Sequence, residues 1–245
     1  MSLPDPIDCP SPNHDARPEG RAVDMLVLHY TGMQSAEAAL ARLCDAEAKV
    51  SAHYMIDEDG TTYRLVPEER RAWHAGISTW EGERNVNGCS IGIELVNPGH
   101  EFGYRAFPEP QMAALVPLLR AILFRHRIPA WRVLGHSDVA PERKQDPGEL
   151  FDWGRLAEAG IGLWVDYRAE GEPPPVEIVQ ALLAEFGYDP PQIGVADERT
   201  KLVVTAFQRH FRPERVDGII DAETAVRLAA LVDRKRRMQV RRPMN

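Results

Sequence analysis

Short apolar runs alternate with amphipathic stretches along the first part of the chain. The run VDMLVLH, Val23–His29, has the length and the polar borders of a buried strand, and it ends at His29. The segment Ser35–Lys49 carries apolar residues at helical spacing and starts with Ser35, a favoured N-cap residue. The pattern therefore predicts a strand followed by a helix.

A hairpin is predicted after this helix. The runs His53–Asp57 and Thr61–Val66 flank the three residues Glu58-Asp59-Gly60. Glycine readily adopts the positive φ that tight turns between antiparallel strands require. We therefore expect the two runs to pair with each other.

The next predicted strand, Cys89–Val96, contains an acidic residue. Its alternation places Ile91, Ile93 and Leu95 on one face and Glu94 on the other. Glu94 is thus a carboxylate in the middle of an otherwise apolar strand.

Two later segments complete the predicted fold. Gln111–His126 has a helical apolar stripe, and Pro117 is expected to kink this helix or to delay its start. Trp131–His136 predicts one more strand. Strands separated by helices, together with one hairpin, predict an α/β fold in which a mixed β-sheet is flanked by helices.

The composition changes at Ala169–Pro175, where a glycine and three consecutive prolines prevent regular structure from continuing. We place a domain boundary there. The first domain then comprises residues 1–170, with an N-terminal extension at 1–20. A small helical domain follows at 171–235, and a basic tail ends the chain at 236–245.

The second domain is predicted to contain three helices, at Val176–Phe186, Thr200–His210 and Ala222–Leu231. The sequence G-x-x-D-x-x-T occurs ahead of both the second and the third helix. Asp197 and Asp221 are therefore expected to cap these helices by accepting hydrogen bonds from the first turn.

Composition and charge narrow the class of protein. Hydrophobic residues make up 44% of the chain and charged residues 27%, which is typical of a folded globular protein. The 29 lysines and arginines against 37 acidic residues give a net charge of −8, which argues against nucleic acid as a partner. No apolar window is long enough for a transmembrane segment, and no feature indicates an obligate protein partner.

Three residues offer ligands for a metal ion. His29 and His136 each end a predicted strand, and Asp146 lies in the loop-like segment after His136. Zinc hydrolases use neutral imidazoles and a carboxylate as ligands and leave one coordination position open. Histidines that only end strands, followed by a solvated loop, explain the same pattern, so the residues by themselves leave both interpretations open.

Five motifs give the chain a resemblance to a known family. In chain order they are LVLHYTG (26–32), VSAHYMID (50–57), AWHAG (72–76), SIGIELVN (90–97) and GHSDVAPERKQDPG (135–148). Over roughly residues 10–156 the chain thus resembles the type 2 N-acetylmuramoyl-L-alanine amidases. This family includes AmpD-like and AmiD-like bacterial amidases and the peptidoglycan recognition proteins.

The resemblance implies a zinc site, with one ion in the catalytic domain. His29, His136 and Asp146 match the zinc ligands of the family. Glu94 matches the strand carboxylate that acts on the attacking water, and Lys144 matches the lysine that precedes the last ligand. A carboxylate can move a proton and a cation can stabilise an oxyanion, so the residue types agree with catalytic roles.

The same resemblance implies a substrate cleft beside the zinc site. His74 and Trp73 lie in the segment that lines this cleft in the family. His53 matches a position near the metal, where a packing role is as consistent as a substrate contact. Further candidates for the cleft are Tyr30, Arg71, Trp80 and Asn87.

The second domain resembles the helical peptidoglycan-binding domain of cell-wall hydrolases, over most of residues 176–231. The two resemblances together predict a zinc-dependent N-acetylmuramoyl-L-alanine amidase. It would hydrolyse the amide bond between (anhydro-)N-acetylmuramic acid and L-alanine, with peptidoglycan or anhydromuropeptides as its substrates. The second domain is then expected to tether the enzyme to wall material.

Two other functions stay open. A non-catalytic peptidoglycan-binding protein would use the same fold, although such receptors lose metal ligands and this chain keeps His29, His136 and Asp146. An unrelated α/β hydrolase would use Cys89 or Ser90 as its nucleophile, although most such cysteines are buried and unreactive.

The N-terminal residues bear on location. Residues 1–20 contain no apolar run behind a positively charged start, so no secretory signal is expected. The cytoplasm is therefore the favoured compartment, and the periplasm is the alternative because a wall-binding domain would be useful there.

Overall fold

The computed structural model describes residues 5–241, where strands and helices alternate. The strands are β1 (Ile7–Asp8), β2 (His14–Ala16), β3 (Met25–Tyr30), β4 (Tyr54–Ile56), β5 (Thr62–Arg64), β6 (Arg70–Ala72), β7 (Ser90–Leu95) and β8 (Val133–Gly135). The helices are α1 (Ala36–Cys44), α2 (Val86–Cys89), α3 (Gly99–Phe102), α4 (Glu109–His126), α5 (His136–Val139), α6 (Trp153–Glu158), α7 (Val176–Phe186), α8 (Glu198–Phe211) and α9 (Ala222–Arg241).

Six of the strands form one mixed sheet in the order β1-β5-β4-β7-β3-β8, and β2 pairs with β6 separately. The predicted α/β class and the predicted hairpin are confirmed, since β4 and β5 pair antiparallel with Tyr54 opposite Arg64. Both β7 and β8 run parallel to β3. In the register of β3 and β7, His29 lies opposite Glu94, so these two residues share one face of the sheet.

The two faces of the central strands pack against different parts of the chain. Ile91, Ile93 and Leu95 share a hydrophobic cluster with Leu115 and Leu119 of α4, as the alternation of β7 predicts. The opposite face, which carries His29 and Glu94, is the one on which the site is built. The face of the sheet that packs on α4 therefore has a structural role, and the opposite face carries the side chains of the candidate site.

Helix α1 ends at Cys44, whereas the sequence pattern predicts Lys49 as its last residue. Asp45 leaves the helix with a ψ of 120°, and its side chain accepts a hydrogen bond from the N–H of Glu47 at 3.0 Å. This bond starts a separate short 3-10 turn, because acidic side chains compete for backbone N–H groups. Ser35 caps the start of α1 as predicted.

Helix α4 starts at Glu109 and contains Pro117 in its interior. The expectation that Pro117 delays the start of the helix is therefore wrong. A proline removes one helical hydrogen bond, and burial of Leu115 and Leu119 against the sheet offsets that loss.

The three helices of the second domain are present as predicted. Asp197 accepts a hydrogen bond from the N–H of Thr200 at 2.8 Å, and Asp221 accepts one from the N–H of Thr224 at 2.9 Å. Both aspartates thus satisfy free donors of the first helical turn, which explains the repeated G-x-x-D-x-x-T sequence.

Helix α9 continues past Leu231 to Arg241. Residues 236–241 of the predicted basic tail are therefore helical, and residues 242–245 lie outside the described part of the chain. No helix within residues 5–241, α9 included, combines the length and apolar character needed to cross a membrane.

Lys235 holds this extension of α9 against the rest of the protein. Its buried ammonium group donates to the carbonyls of Glu185 and Phe186 at 2.8 and 2.9 Å, and it pairs with Glu81 at 2.5 Å. Glu81 belongs to the α/β body, so this lysine connects both domains.

The helical domain shares a hydrophobic core with the α/β body. Met25 and Val27 of β3 belong to the same buried cluster as Trp80, Val179 and Phe186. Because the cluster is continuous, the helical domain packs firmly against the body. The helical domain is therefore part of one packed structure with the body.

Candidate active site

Three candidate ligands meet at the carboxyl-terminal edge of the sheet. His29 lies near the end of β3, His136 is the first residue of α5 directly after β8, and Asp146 lies in the loop beyond α5. The two Nδ1 atoms are 2.9 Å apart, and each lies 3.0 Å from Oδ2 of Asp146. All three side chains are buried, so their donor atoms form one compact group.

The other ring nitrogen of His136 has a fixed partner. Its Nε2 lies 3.0 Å from the carbonyl oxygen of Ala75, which can only accept a hydrogen bond. The Nε2 atom therefore carries the proton, and the lone pair of Nδ1 points at the other candidate ligands.

A chain of hydrogen bonds orients His29 in the same way. Its Nε2 lies 3.0 Å from Nδ1 of His74, whose Nε2 lies 2.9 Å from Oγ of Ser90. Ser90 in turn donates to the carbonyl of Val86 at 2.7 Å. Because this carbonyl only accepts, every bond in the chain takes the direction that leaves Nδ1 of His29 without a proton.

Gly92 makes room for this chain. A Cβ atom at this position would lie 2.3 Å from the ring of His74, far inside contact distance. Any other residue at position 92 would push the His74 ring away from His29. The absence of a side chain at this position is therefore a requirement of the site rather than of the strand.

Electrostatics keep His29 and Asp146 in the protonation states that a metal needs. Burial and the neighbouring His136 together lower the pKa of His29 to about 4, against the opposing effect of Asp146. Burial raises the pKa of Asp146, but the two histidines outweigh burial and hold it below its ordinary value. Neutral imidazoles beside a carboxylate are ligands that Zn²⁺ prefers.

The distances also fit a metal ion. The three donor atoms lie within 4.8 Å of one another. Two zinc ligands in a tetrahedral site are about 3.3 Å apart, because each lies about 2 Å from the ion. The residues present therefore fit Zn²⁺ in both chemistry and spacing.

The candidate ligands line a cavity of about 350 Å³ that also contains Glu94 and Lys144. Burial and the nearby Asp146 raise the pKa of Glu94 well above its ordinary value, while Lys144 lowers it. Oε2 of Glu94 is buried and has no hydrogen-bond partner among the described residues. A buried carboxylate with a free oxygen is suited to taking up a proton.

Of the implied substrate contacts, His74 lines the cavity, whereas Trp73 and His53 do not. The ring of His53 is fully buried, 2.9 Å from a guanidinium nitrogen of Arg17, and its Nδ1 accepts from the N–H of Gly92 at 3.0 Å. The Trp73 side chain is hydrogen-bonded to Asp15. Both side chains thus have hydrogen-bond partners within the protein, and for His53 this agrees with the packing role.

The further candidates for the cleft also differ in whether they line the cavity. Tyr30 lines the cavity. The side-chain oxygen of Asn87 accepts from the backbone N–H groups of residues 74 and 75 and so positions that segment. Arg71 forms an ion pair with Asp15 of β2. Trp80 does not line the cleft, since it is fully buried in the core that the two domains share.

Two arginines of the site were not predicted. Arg17 donates to the carbonyls of Gly88 and Ser90 at 3.1 and 2.9 Å and lies beside the ring of His53. Arg143 lines the cavity and donates to the carbonyl of Ala75, the same atom that orients His136. Arg143 lies within the motif that holds two of the candidate ligands, so its position was a usable signal, whereas an isolated arginine in a proline-rich stretch gives none.

The two alternative nucleophiles are poorly placed. Ser90 and Cys89 are fully buried and do not line the cavity. Burial and the nearby Asp24 raise the pKa of the Cys89 thiol, which lowers its reactivity. Ser90 uses its proton to bond the carbonyl of Val86. The geometry therefore favours the metal site over a covalent nucleophile.

Comparisons with known protein families find one match in the α/β body and one in the helical domain. The family model of N-acetylmuramoyl-L-alanine amidase matches residues 19–149. A family model of a peptidoglycan binding domain matches residues 172–228. The first match ends before the proline-rich segment at 169–175, and the second begins within that segment.

Similar proteins and structures cover most of the chain. The N-acetylmuramoyl-L-alanine amidase AmiD of Escherichia coli is 39% identical over 86% of this chain and 83% of its own length. A structure of AmiD with anhydro-N-acetylmuramic acid-L-Ala-D-γ-Glu-L-Lys has a TM-score of 0.79 at 36% identity and covers 89% of this chain and 92% of AmiD. A structure of Pseudomonas aeruginosa AmpDh3 with an anhydromuramic pentapeptide has the same TM-score at 37% identity, over 89% of this chain and 94% of AmpDh3.

Proposed function

This chain belongs to the N-acetylmuramoyl-L-alanine amidase family, and from that premise we propose that it is a zinc-dependent amidase that acts on muropeptides. It hydrolyses the amide bond between (anhydro-)N-acetylmuramic acid and the L-alanine of the stem peptide. The observation that carries the proposal is the buried group of His29, His136 and Asp146, which lies in one cavity with Glu94.

In this proposal His29 and His136 hold the zinc ion through Nδ1, and Asp146 holds it through a carboxylate oxygen. A zinc ion in such a site acidifies water and polarises a carbonyl group. The carbonyl of Ala75 and the ring of His74 keep the two histidine rings in the required tautomer.

Glu94 and Lys144 supply the acid–base and electrostatic parts of the reaction. Hydrolysis of an amide needs a proton to leave the attacking water and the departing amine to gain one, and a single group can transfer the same proton between them. Glu94 takes up the first proton on its free carboxylate oxygen and delivers it to the nitrogen of L-alanine. Lys144 lines the same cavity, and its positive charge stabilises the negative oxygen that develops on the lactyl carbonyl.

The substrate class is supported by the two related complexes, whose bound molecules both contain anhydromuramic acid joined to a peptide. The helical domain adds a second surface with the family signature of peptidoglycan binding. We therefore propose that both free anhydromuropeptides and intact peptidoglycan are substrates of the same cavity.

Digestion of purified 1,6-anhydromuramoyl peptide and of intact sacculi, each with and without a zinc chelator, tests the proposal. We expect mass spectrometry to detect free stem peptide, its release to stop with chelator, and added Zn²⁺ to restore it. Release that continues unchanged in chelator would reject the role of zinc. No release by protein shown to contain zinc would instead favour the non-catalytic binding protein.

A further inference from the structure

Helix α8 of the helical domain packs directly on α5, the short helix that starts with the candidate ligand His136. Nδ1 of His210, on α8, donates to Oδ2 of Asp138 at 2.7 Å. The hydroxyl of Tyr188, in the loop after α7, donates to Oδ1 of the same carboxylate at 2.5 Å. Both oxygens of a residue in α5 are therefore held from the other domain.

Asp138 is itself part of the frame of α5. Its Oδ2 also accepts a hydrogen bond from the N–H of Gly135, the residue just before His136, at 2.8 Å. The side chain is fully buried, so an oxygen left without a donor would carry a full desolvation penalty. Asp138 thus joins the helical domain to the backbone on both sides of His136.

The ring of His210 is tightly enclosed. It stacks on Trp153 at 3.6 Å and on Phe211 at 3.7 Å between ring centroids. These contacts fix the direction in which Nδ1 points at Asp138. The ring has two separable functions, since a stack needs a flat apolar surface whereas the bond needs a donor.

Arg209, the residue before His210 in α8, contacts the segment that carries the other candidate ligand, Asp146. Arg209 donates to the side-chain oxygen of Gln145 at 3.1 Å, and Gln145 is the residue immediately before Asp146. The two segments are also joined to each other, because the N–H of Ser137 donates to the carbonyl of Asp146 at 2.9 Å. Consecutive residues of one helix therefore hold both segments.

We propose that the helical domain, which family similarity connects only with wall binding, positions two metal ligands of the active site. His210 and Tyr188 position His136 through Asp138, and Arg209 positions Asp146 through Gln145. These three are positioning residues, since none of them lines the cavity. The proposal rests on the proposed zinc site, because it concerns the affinity of that site for its ion.

Single substitutions in the full chain separate positioning from general stability. His210→Phe keeps a flat ring for the stack but removes the donor to Asp138. His210→Asn loses the stack but keeps an N–H group close to the place of Nδ1. Tyr188→Phe and Arg209→Met remove the other two contacts. Arg212→Met is the matched control, because Arg212 follows α8 and pairs with Asp221 inside the helical domain, at 2.7 Å.

Zinc affinity is measured by competition with a chromophoric chelator, and thermal unfolding of the metal-free proteins is measured beside it. We expect His210→Phe, Tyr188→Phe and Arg209→Met to weaken zinc binding by about tenfold each. We expect His210→Asn to retain the affinity of the unmodified chain despite a lower unfolding temperature. Arg212→Met should lower the unfolding temperature without changing zinc affinity.

Equal zinc affinity in the unmodified chain and in Tyr188→Phe and Arg209→Met would overturn the positioning role while leaving the zinc amidase intact. Affinity that merely follows unfolding temperature, with His210→Asn and Arg212→Met as weak as His210→Phe, would overturn it as well. An unmodified chain that binds no zinc and cleaves in chelator would reject the proposed metal function itself. This last outcome is measured on the unmodified chain alone, so it is distinguishable from a failure of the positioning role.

Discussion

The indole ring of Trp80 packs edge-on against the phenol ring of Tyr188, with 4.9 Å between centroids and an interplanar angle of 73°. Trp80 belongs to the α/β body and Tyr188 follows the first helix of the helical domain. Phe186 meets the same indole at 5.9 Å. Trp80 of the body is thus packed against residues of the helical domain, and a chain without that domain would lack them.

Truncation after residue 170 is expected to destabilise the α/β body. Removal of the helical domain exposes Trp80 together with Met25 and Val27, all of which are fully buried in the complete chain. We expect an unfolding temperature well below that of the full chain, or aggregation, measured by circular dichroism and light scattering. A soluble fragment that unfolds cooperatively at the original temperature would contradict the shared core.

Substitution of Trp80 tests the same contact within the complete chain. Trp80→Ala leaves a cavity between the domains and should cost about 3–5 kcal/mol in the free energy of unfolding. Phe124→Ala is the control, because Phe124 is 86% exposed and its loss should change this free energy by less than about 0.5 kcal/mol. Urea titrations of both variants measure the difference. Equal effects of the two substitutions would count against the packing described for Trp80.

Removal of a candidate ligand should abolish zinc binding and activity together. In Asp146→Ala the two histidine rings remain, but the carboxylate that lies 3.0 Å from both Nδ1 atoms is lost. We expect less than one zinc ion per chain by elemental analysis and a fall in amide hydrolysis of at least about 100-fold. His14→Ala, at a histidine of β2 that does not line the cavity, should retain both properties. Full activity of metal-free Asp146→Ala would exclude this ligand set.

Glu94→Gln should separate binding from chemistry. The amide has the shape of the carboxylate but cannot take up the proton, so turnover is expected to fall by about 100- to 10,000-fold with zinc content unchanged. Glu58→Gln, which removes the carboxylate of a surface ion pair with Arg105, serves as the matched control. A Glu94→Gln enzyme as fast as the unmodified chain would show that a different group moves the proton.

The stability of the fold at acidic pH depends in part on Glu68, whose carboxyl group lies in a buried cluster of hydrogen-bonded side chains. Burial raises the pKa of this carboxyl, but hydrogen bonds from Arg125, His126 and Tyr54 outweigh burial and lower the pKa from 4.5 to about 2. Because the folded-state pKa lies below the unfolded value, the carboxylate stabilises the fold above about pH 4.5. This contribution is lost as the pH falls from 4.5 towards 2.

The pH dependence of Glu68→Gln follows from this sign. At pH 7 the variant should be less stable than the unmodified chain by on the order of 1–2 kcal/mol, and the difference should vanish towards pH 2. Denaturant titrations at several pH values measure it, with the exposed Glu172→Gln as the control. A stability difference that grows on acidification would have the wrong sign for the described cluster.

The part of the site that lies close in sequence or in motif was predictable. His29 and His136 follow apolar runs whose parallel strands end at the same edge, and the motif around Asp146 places it beside them. Glu94 was predictable because a carboxylate in the middle of an apolar strand stands out from its neighbours. The apolar pattern makes these residues stand out, and the resemblance to the amidase family is what assigns them their roles.

No pattern in the sequence indicates the contacts between the domains. Trp80, Tyr188 and His210 are residue types that occur in any core or on any surface, and their partners lie far away along the chain. The same holds for Arg17, whose acceptors are backbone carbonyls that every sequence supplies. Which of these groups meet depends on how two domains pack, and no local pattern records that packing.

The shared core restricts how a chain of this kind can be recombined. A wall-binding domain joined only by a linker can be exchanged for another, or moved to the other end of an enzyme, as a self-contained cassette. Here a substitute would need to supply counterparts of Phe186 and Tyr188 for Trp80 and a donor for Asp138. Exchange or loss of the helical domain therefore requires matching changes in the body, above all a polar surface around Trp80.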